Sequence, residues 1–270
     1  MSQKIWFITG SSKGFGRHWA TAALDRGERV AALVRDPAAV SGLVDKYGDA
    51  VLPLTADVTD RVAVSEAVGT AHKHFGRLDV VVDNAGVGLF GAVEETSEEQ
   101  ARQQFETNFF GSLWVVQAAV PLLRKQGAGH IVQISSYLGV TTLPFLGLYN
   151  ATKWAVEGLI DSLAAEVRQF GINTTLIEPG IFGTDWAGAS ERAKELPPYE
   201  QSRAEFFSTP LTWVDPVNSH IALFAAVDAD EPPTRLFLSR FPHPIVAADY
   251  QARLTQADTW SDIAATADAD

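Results

Sequence analysis

Tyr149 and Lys153 stand four residues apart in the stretch YNATKW. On a helix that spacing puts both side chains on one face, a turn apart. A free phenol has a pKa of about 10, too high for efficient proton transfer at neutral pH. An ammonium beside it favours the phenolate and lowers that value. Upstream, ISSYLG closes an apolar run and offers Ser136, whose hydroxyl can converge with Tyr149 on one substrate oxygen. The three residues need a scaffold that brings a strand end against a helix start.

The first two-thirds of the chain supplies one. Short β-branched runs at 5–9, 29–34, 50–55, 78–83, 130–135 and 172–178 alternate with helix-length segments at 15–26, 61–75, 98–125 and 150–170. Alternation of this kind predicts a doubly wound, mainly parallel sheet with helices on both faces, of the Rossmann type. A helix at 216–227 and a strand at 234–239 complete seven strands. Ligands of such sheets bind at the carboxyl ends of the strands. Residues 184–213 are polar and aromatic, and Pro197-Pro198 breaks any single helix there, which predicts a substrate lid. The expected organisation is one domain over 1–255, then an acidic, frayed tail at 256–270.

At the first strand–helix junction, TGSSKGFG carries Gly10, Gly14 and Gly16, with Ser12, Lys13 and Phe15 between them. Glycines there allow a tight turn and a close backbone approach to a pyrophosphate at the helix N-terminus. An NAD site has a carboxylate at the end of strand two that accepts from the ribose 2′-hydroxyl. Here that strand ends LVRD, with Val34 in the acidic place and Arg35 after it. Arg35 and Lys13 suit a 2′-phosphate, so NADP(H) is the preferred cofactor and NAD(H) the possible one. Both cations could instead be solvated surface charges, and Asp36 could reach the ribose. Asp57, with Val58 beside it, follows strand three and can accept from an adenine amino group. Asn84, Ala85 and Gly86 offer small residues where a cofactor passes the backbone. Pro179, Gly180, Phe182 and Thr184 lie on the same edge after strand six.

These segments, in this order, resemble the short-chain dehydrogenase/reductase family in its short single-domain form, over about residues 3 to 240. The family's glycine motif matches Gly10, Gly14 and Gly16, and its Asn-Ala-Gly motif Asn84, Ala85 and Gly86. Its asparagine, serine and Tyr-x-x-x-Lys pair match Asn108, Ser136, Tyr149 and Lys153, and its Pro-Gly segment Pro179-Gly180. The resemblance implies an NAD(P)-dependent enzyme of the alcohol dehydrogenase or ketoreductase type. It would move hydride between a nicotinamide and a carbonyl or secondary alcohol. Tyr149 is then the proton donor, and Lys153 tunes it and holds the nicotinamide ribose. Ser136 binds the substrate oxygen, and Asn108 holds a water linking Lys153 to solvent. The family's usual subunit contact uses helices 98–125 and 150–170, which implies a homodimer or homotetramer. One departure is Asp83, where the family often has Asn.

Leu89, Leu138, Phe145 and Trp186, with Ser136 and Tyr149, are the candidate substrate pocket, and their apolar character suits a hydrophobic ketone, aldehyde or alcohol. The chain has no Cys, which excludes disulfides, thiolate zinc sites and cysteine nucleophiles. A formal net charge of −12 argues against a nucleic-acid surface. No apolar run approaches the roughly 18 residues of a membrane span, and KIWFITG reads as a strand rather than a signal segment. A cytoplasmic protein without membrane or metal partners is expected. His72 and His74 point to opposite sides of a helix and make no metal site. The rival reading is a non-catalytic NADP-binding regulatory or scaffold protein, which the fold permits but which has little need of Ser136, Tyr149 and Lys153 together.

Overall fold

Strands rich in Val, Ile and Leu on both faces need cover on both faces, and the chain provides it. The computed structural model describes residues 3–208 and 210–268. Its main sheet contains β1 (Ile5–Thr9), β2 (Arg29–Val34), β3 (Val51–Thr55), β4 (Val80–Asp83), β5 (Gly129–Ile134), β6 (Ile172–Pro179) and β7 (Arg235–Leu238). All seven are parallel, in the order β3-β2-β1-β4-β5-β6-β7.

The period of two along each strand divides the core. Ile5 and Phe7 of β1 join Leu33, Val81 and Ile131 against α3 (Arg61–Phe75), α5 (Gly111–Gln126) and α6 (Gly147–Val167). Trp6 and Ile8 join Val30, Val82 and Val132 against α1 (Gly14–Asp25), α2 (Ser41–Tyr47) and α8 (Ser219–Val227). Each helix meets the sheet through small or branched residues, such as Ala20 and Ala23 on α1 and Val156 and Ile160 on α6.

The order reverses between β1 and β4, so the crevice for a ligand opens at their carboxyl ends. Thr9 stitches the two ends together. Its Oγ1 accepts from the N–H groups of Asn84 (2.8 Å) and Ala85 (2.9 Å) and donates to Asp83 Oδ1 (3.0 Å).

The expected helix over 98–125 is divided. α4 (Glu98–Phe105), opened by a reciprocal Ser97–Gln100 cap, passes into a π turn at Glu106–Phe110 before α5 begins. Such bulges turn a helix by one extra residue and recur at functional sites. This one carries Asn108. Beyond the sheet, the 184–213 segment contains a helical turn at Trp186–Ala189 and α7 (Glu200–Ser208), and Glu191–Arg192 pairs in parallel with Leu89–Phe90. The last long helix, α9 (Pro242–Thr259), enters residues expected to be tail, and a further turn follows at Ser261–Ala264. Residues 251–268 are exposed throughout. Among the described residues no helix is long and apolar enough to cross a membrane, and no three His, Cys, Asp or Glu side chains are placed to hold a metal ion.

Candidate active site

One cavity of about 1090 Å³ runs along the carboxyl edge of the sheet, from Lys13 and Arg35 at one end to Tyr149, Ser136 and the aromatic lid at the other. The glycine loop forms its floor. Gly14 has φ +54°, a backbone that side chains rarely adopt. Gly10, Ser12, Phe15, Asp57, Val58, Asn84, Ala85, Gly86, Pro179, Gly180, Phe182 and Thr184 also line it. Of the residues expected at the dinucleotide end and beside Lys153, Gly16 and Asn108 do not. Gly16 lies behind the loop, where a Cβ would overlap the Gly10 carbonyl, so it serves the packing of α1 on the strand ends. Asn108 is buried behind Gly86. Its amide accepts from Val87 N–H (2.9 Å) and donates to Val87 O (3.0 Å) and Thr152 Oγ1 (3.1 Å). Those bonds fix the segment after β4 and engage the Asn108 amide within the protein.

These residues fit a dinucleotide. A Cβ on Gly86 would lie 3.4 Å from Asn108 Oδ1 and 3.8 Å from Lys153 Nζ, so any larger residue would fill the cavity beside the lysine. At the far end, Asp36 is committed elsewhere. Its carboxylate accepts from Ala38 N–H (2.9 Å) and caps the turn that starts at Pro37. Among the described residues neither Lys13 nor Arg35 forms an ion pair.

The expected pair sits on the first turns of α6. Tyr149 and Lys153 are both buried, and Lys153 Nζ lies 5.9 Å from the centre of the phenol ring and donates to Ile134 O at 2.8 Å. The ammonium therefore rests on the end of β5 rather than on the phenol oxygen. Burial outweighs the lowering of the Tyr149 pKa that the sequence predicts from Lys153. Desolvation pushes the phenol well above its ordinary value, with the Ser136 hydroxyl opposing in part. Desolvation also pulls Lys153 down to about 8, against the charges of Asp83 and Glu157. Asp83 is fully buried, its carboxyl raised by desolvation while Ser112, Gln133 and Thr9 oppose. Thus the residue at the expected Asn position places a second titratable group beneath the lysine.

Aromatic side chains from the segment after β6 and from Phe90 explain the burial. The Trp186 ring covers Tyr149 with centroids 4.8 Å apart, and Phe90 backs it at 5.8 Å. Leu138 lines the substrate end as expected, but Leu89 and Phe145 do not. Strand alternation sends Phe90 into the cavity and Leu89 away from it. Phe145 holds a left-handed backbone, φ 61°, and packs on Phe206 and Phe207 from outside. Leu143, Leu146, Phe206, Phe207, Leu211 and Trp213 complete the apolar wall. Their apolar type was visible in the sequence, but nothing local marked which of them faces inward.

A buried carboxylate clamps the lid. Glu95 Oε2 accepts from Ala92 N–H (2.8 Å), and Oε1 accepts from Leu196 N–H (2.7 Å) and pairs with Arg203 of α7. The Arg203 hydrogen bond leads in holding this carboxyl at about 2, with the Leu196 and Ala92 N–H groups adding to it against desolvation. A carboxyl with a lowered folded value contributes stability above its unfolded pKa and loses it as pH falls through the folded one. The clamp is therefore intact above pH 4.5 and released toward pH 2. Glu95→Ala is expected to raise the substrate KM about tenfold, equivalent to about 1.4 kcal/mol of lost closure. It should speed hydrogen exchange across 186–208 and leave dinucleotide affinity unchanged. Exchange in that segment equal to wild type would show that the clamp does not hold the lid.

Residues 4–195 match the family model for short chain dehydrogenases. The chain is 44% identical over 205 residues to oxidoreductase BOA17 of Botryotinia fuckeliana, an alignment covering 75% of each chain. It superposes on a short-chain dehydrogenase from Streptomyces avermitilis with a TM-score of 0.92, at 32% identity over 98% of both chains. A short chain dehydrogenase from Burkholderia cenocepacia, solved in complex with NADP, superposes with a TM-score of 0.76 at 25% identity, covering 94% of this chain and 97% of that one. With the seven-stranded order and the glycine-lined crevice, these likenesses place the chain in the short-chain dehydrogenase/reductase family of oxidoreductases.

Proposed function

We propose that this oxidoreductase uses NADP(H) to interconvert a carbonyl and a secondary alcohol on an apolar small molecule. The observation that carries the reading is one continuous cavity, with Lys13 and Arg35 at one end and Ser136, Tyr149 and Lys153 under aromatic cover at the other. The dinucleotide, when bound, supplies hydride for reduction and takes it up for oxidation. In reduction Tyr149 gives its proton to the substrate oxygen, and its raised pKa keeps that proton available at neutral pH. Ser136 donates a hydrogen bond to the same oxygen, where negative charge develops. Lys153, as an ammonium, holds the ribose next to the nicotinamide and lowers the cost of the phenolate left behind. Trp186 and Phe90 exclude water from this exchange.

At the substrate end, Lys153 is the lining cation, so neutral apolar ketones and aldehydes suit the cavity better than carboxylates or phosphate esters. A single domain over 1–255 with its lid at 184–213, a cytoplasmic setting, and a homodimer or homotetramer built on α4–α5 and α6 complete the proposal. The test is oxidation of NADPH and NADH with a panel of apolar ketones and aldehydes. Turnover with NADPH is the expected result. Tight NADPH binding without turnover on any carbonyl would favour the non-catalytic reading instead.

A further inference from the structure

α6 carries more charge than its first two turns use. Tyr149, Lys153, Glu157 and Asp161 follow at four-residue intervals and lie along one stripe of the helix. The first three are buried and Asp161 is exposed. Glu157 Oε2 meets the guanidinium of Arg235 on β7, which also pairs with Asp161 and, at 3.3 Å, with Glu178 of β6. Three carboxylates around one guanidinium leave the group short of positive charge. The next cation inward is Lys153.

The second oxygen points the same way. Glu157 Oε1 has no hydrogen-bond partner among the described residues, and neither has Ser135 Oγ. Both close on Gly139, where a Cβ would lie 2.6 Å from Ser135 Oγ and 3.1 Å from Glu157 Oε1. Ser135 follows Ile134, whose carbonyl holds Lys153 Nζ. A buried carboxylate with a bare oxygen is costly unless a nearby charge offsets it.

We propose that Glu157 is a positioning residue for Lys153, its carboxylate supplying the counter-charge that keeps the lysine an ammonium beside Tyr149. The inference rests on the proposed roles of Tyr149 and Lys153. Asp83, at the end of β4, acts on the lysine in the same sense, while Tyr149 and Tyr137 are the other titratable groups at that end. Around Glu157, burial disfavours its charge. The nearby Ser135 hydroxyl favours it, as do Arg235 and Lys153, and Asp161 opposes. Glu178, pushed up to about 7 chiefly by burial, is the remaining carboxyl of the group.

Removing the Glu157 charge lowers the Lys153 pKa further, so the ammonium is lost at lower pH. The test is the pH profile of kcat/KM for wild type, Glu157→Gln, Glu157→Asp and Arg235→Gln. Glu157→Gln is expected to move the alkaline limb about one unit toward acid, a roughly tenfold loss above it, with little change near pH 6.5. Glu157→Asp should restore most of the limb. Arg235→Gln, on a half-exposed edge, should shift it in the same direction by weakening the charge on Glu157. An unshifted limb in Glu157→Gln, or an equal loss at every pH, overturns the proposal. Should that variant not fold, an unshifted limb in Arg235→Gln does so. If wild type turns over no carbonyl, the proposed function fails, and the same comparison is read from NADPH affinity against pH. A binding limb that Glu157→Gln leaves in place then overturns the inference.

Discussion

Tyr149→Phe is expected to lower kcat by about 10²- to 10⁴-fold, the range that a positioned proton donor contributes. The variant removes one hydroxyl and leaves the ring that packs under Trp186, so the lid and the dinucleotide end should be undisturbed. NADPH affinity should therefore stay near wild type. Lys153→Ala should lose turnover and affinity together, because in the proposed mechanism the ammonium serves both the phenolate and the ribose. Burial sharpens the direction of the effect. With the phenol pKa raised, reduction should hold its rate across neutral pH, whereas oxidation, which needs a phenolate, should gain as pH rises. Near-normal ketone reduction by Tyr149→Phe, measured with NADPH at saturation, would sink the mechanism.

The second large effect concerns cofactor choice. Wild type is expected to prefer NADPH in kcat/KM by roughly five- to thirtyfold, the equivalent of about one to two kcal/mol. Val34→Asp/Arg35→Ala should reverse that preference. Val34 closes β2 with its side chain buried, while Arg35 and Lys13 reach the cavity from exposed positions. Charge-assisted hydrogen bonds to a phosphate are about twice as strong as neutral ones. The rival acceptor, Asp36, spends its carboxylate on Ala38 N–H. Equal or better use of NADH by wild type would make Lys13 and Arg35 ordinary surface charges.

What the sequence could show followed from periodicity. β1 and β2 are nearly continuous apolar runs and β6 is rich in β-branched residues, so all three fall within a residue of their expected bounds. Ser136, Tyr149 and Lys153 were legible because their residue types and spacing match the family's motif. Three kinds of feature were not. The π turn at Asn108 inserts one residue in a helix without any composition signal. α9 begins at Pro242 with Pro244 beside it, residues that a first helical turn accepts but that read as a break. The clamp joins Glu95 to Arg203 across 108 residues, and neither charge differs locally from a solvated one. Pocket direction was lost for a similar reason: Leu89 and Phe90 are equally apolar, and only the pleat decides which faces inward.

β7 joins the sheet by pairing Leu176 with Arg235 through Pro179 with Leu238, so its four residues arrive last as the chain is synthesised. Ser136, Tyr149 and Lys153 all precede it in the chain. Without β7, β6 would be an open edge, with Glu157, Glu178 and Asp161 beside it and no guanidinium between them. Like charges at a bare edge discourage two chains from pairing there. Should β7 fray, the carboxylates that surround one arginine would therefore guard the exposed edge against a second copy.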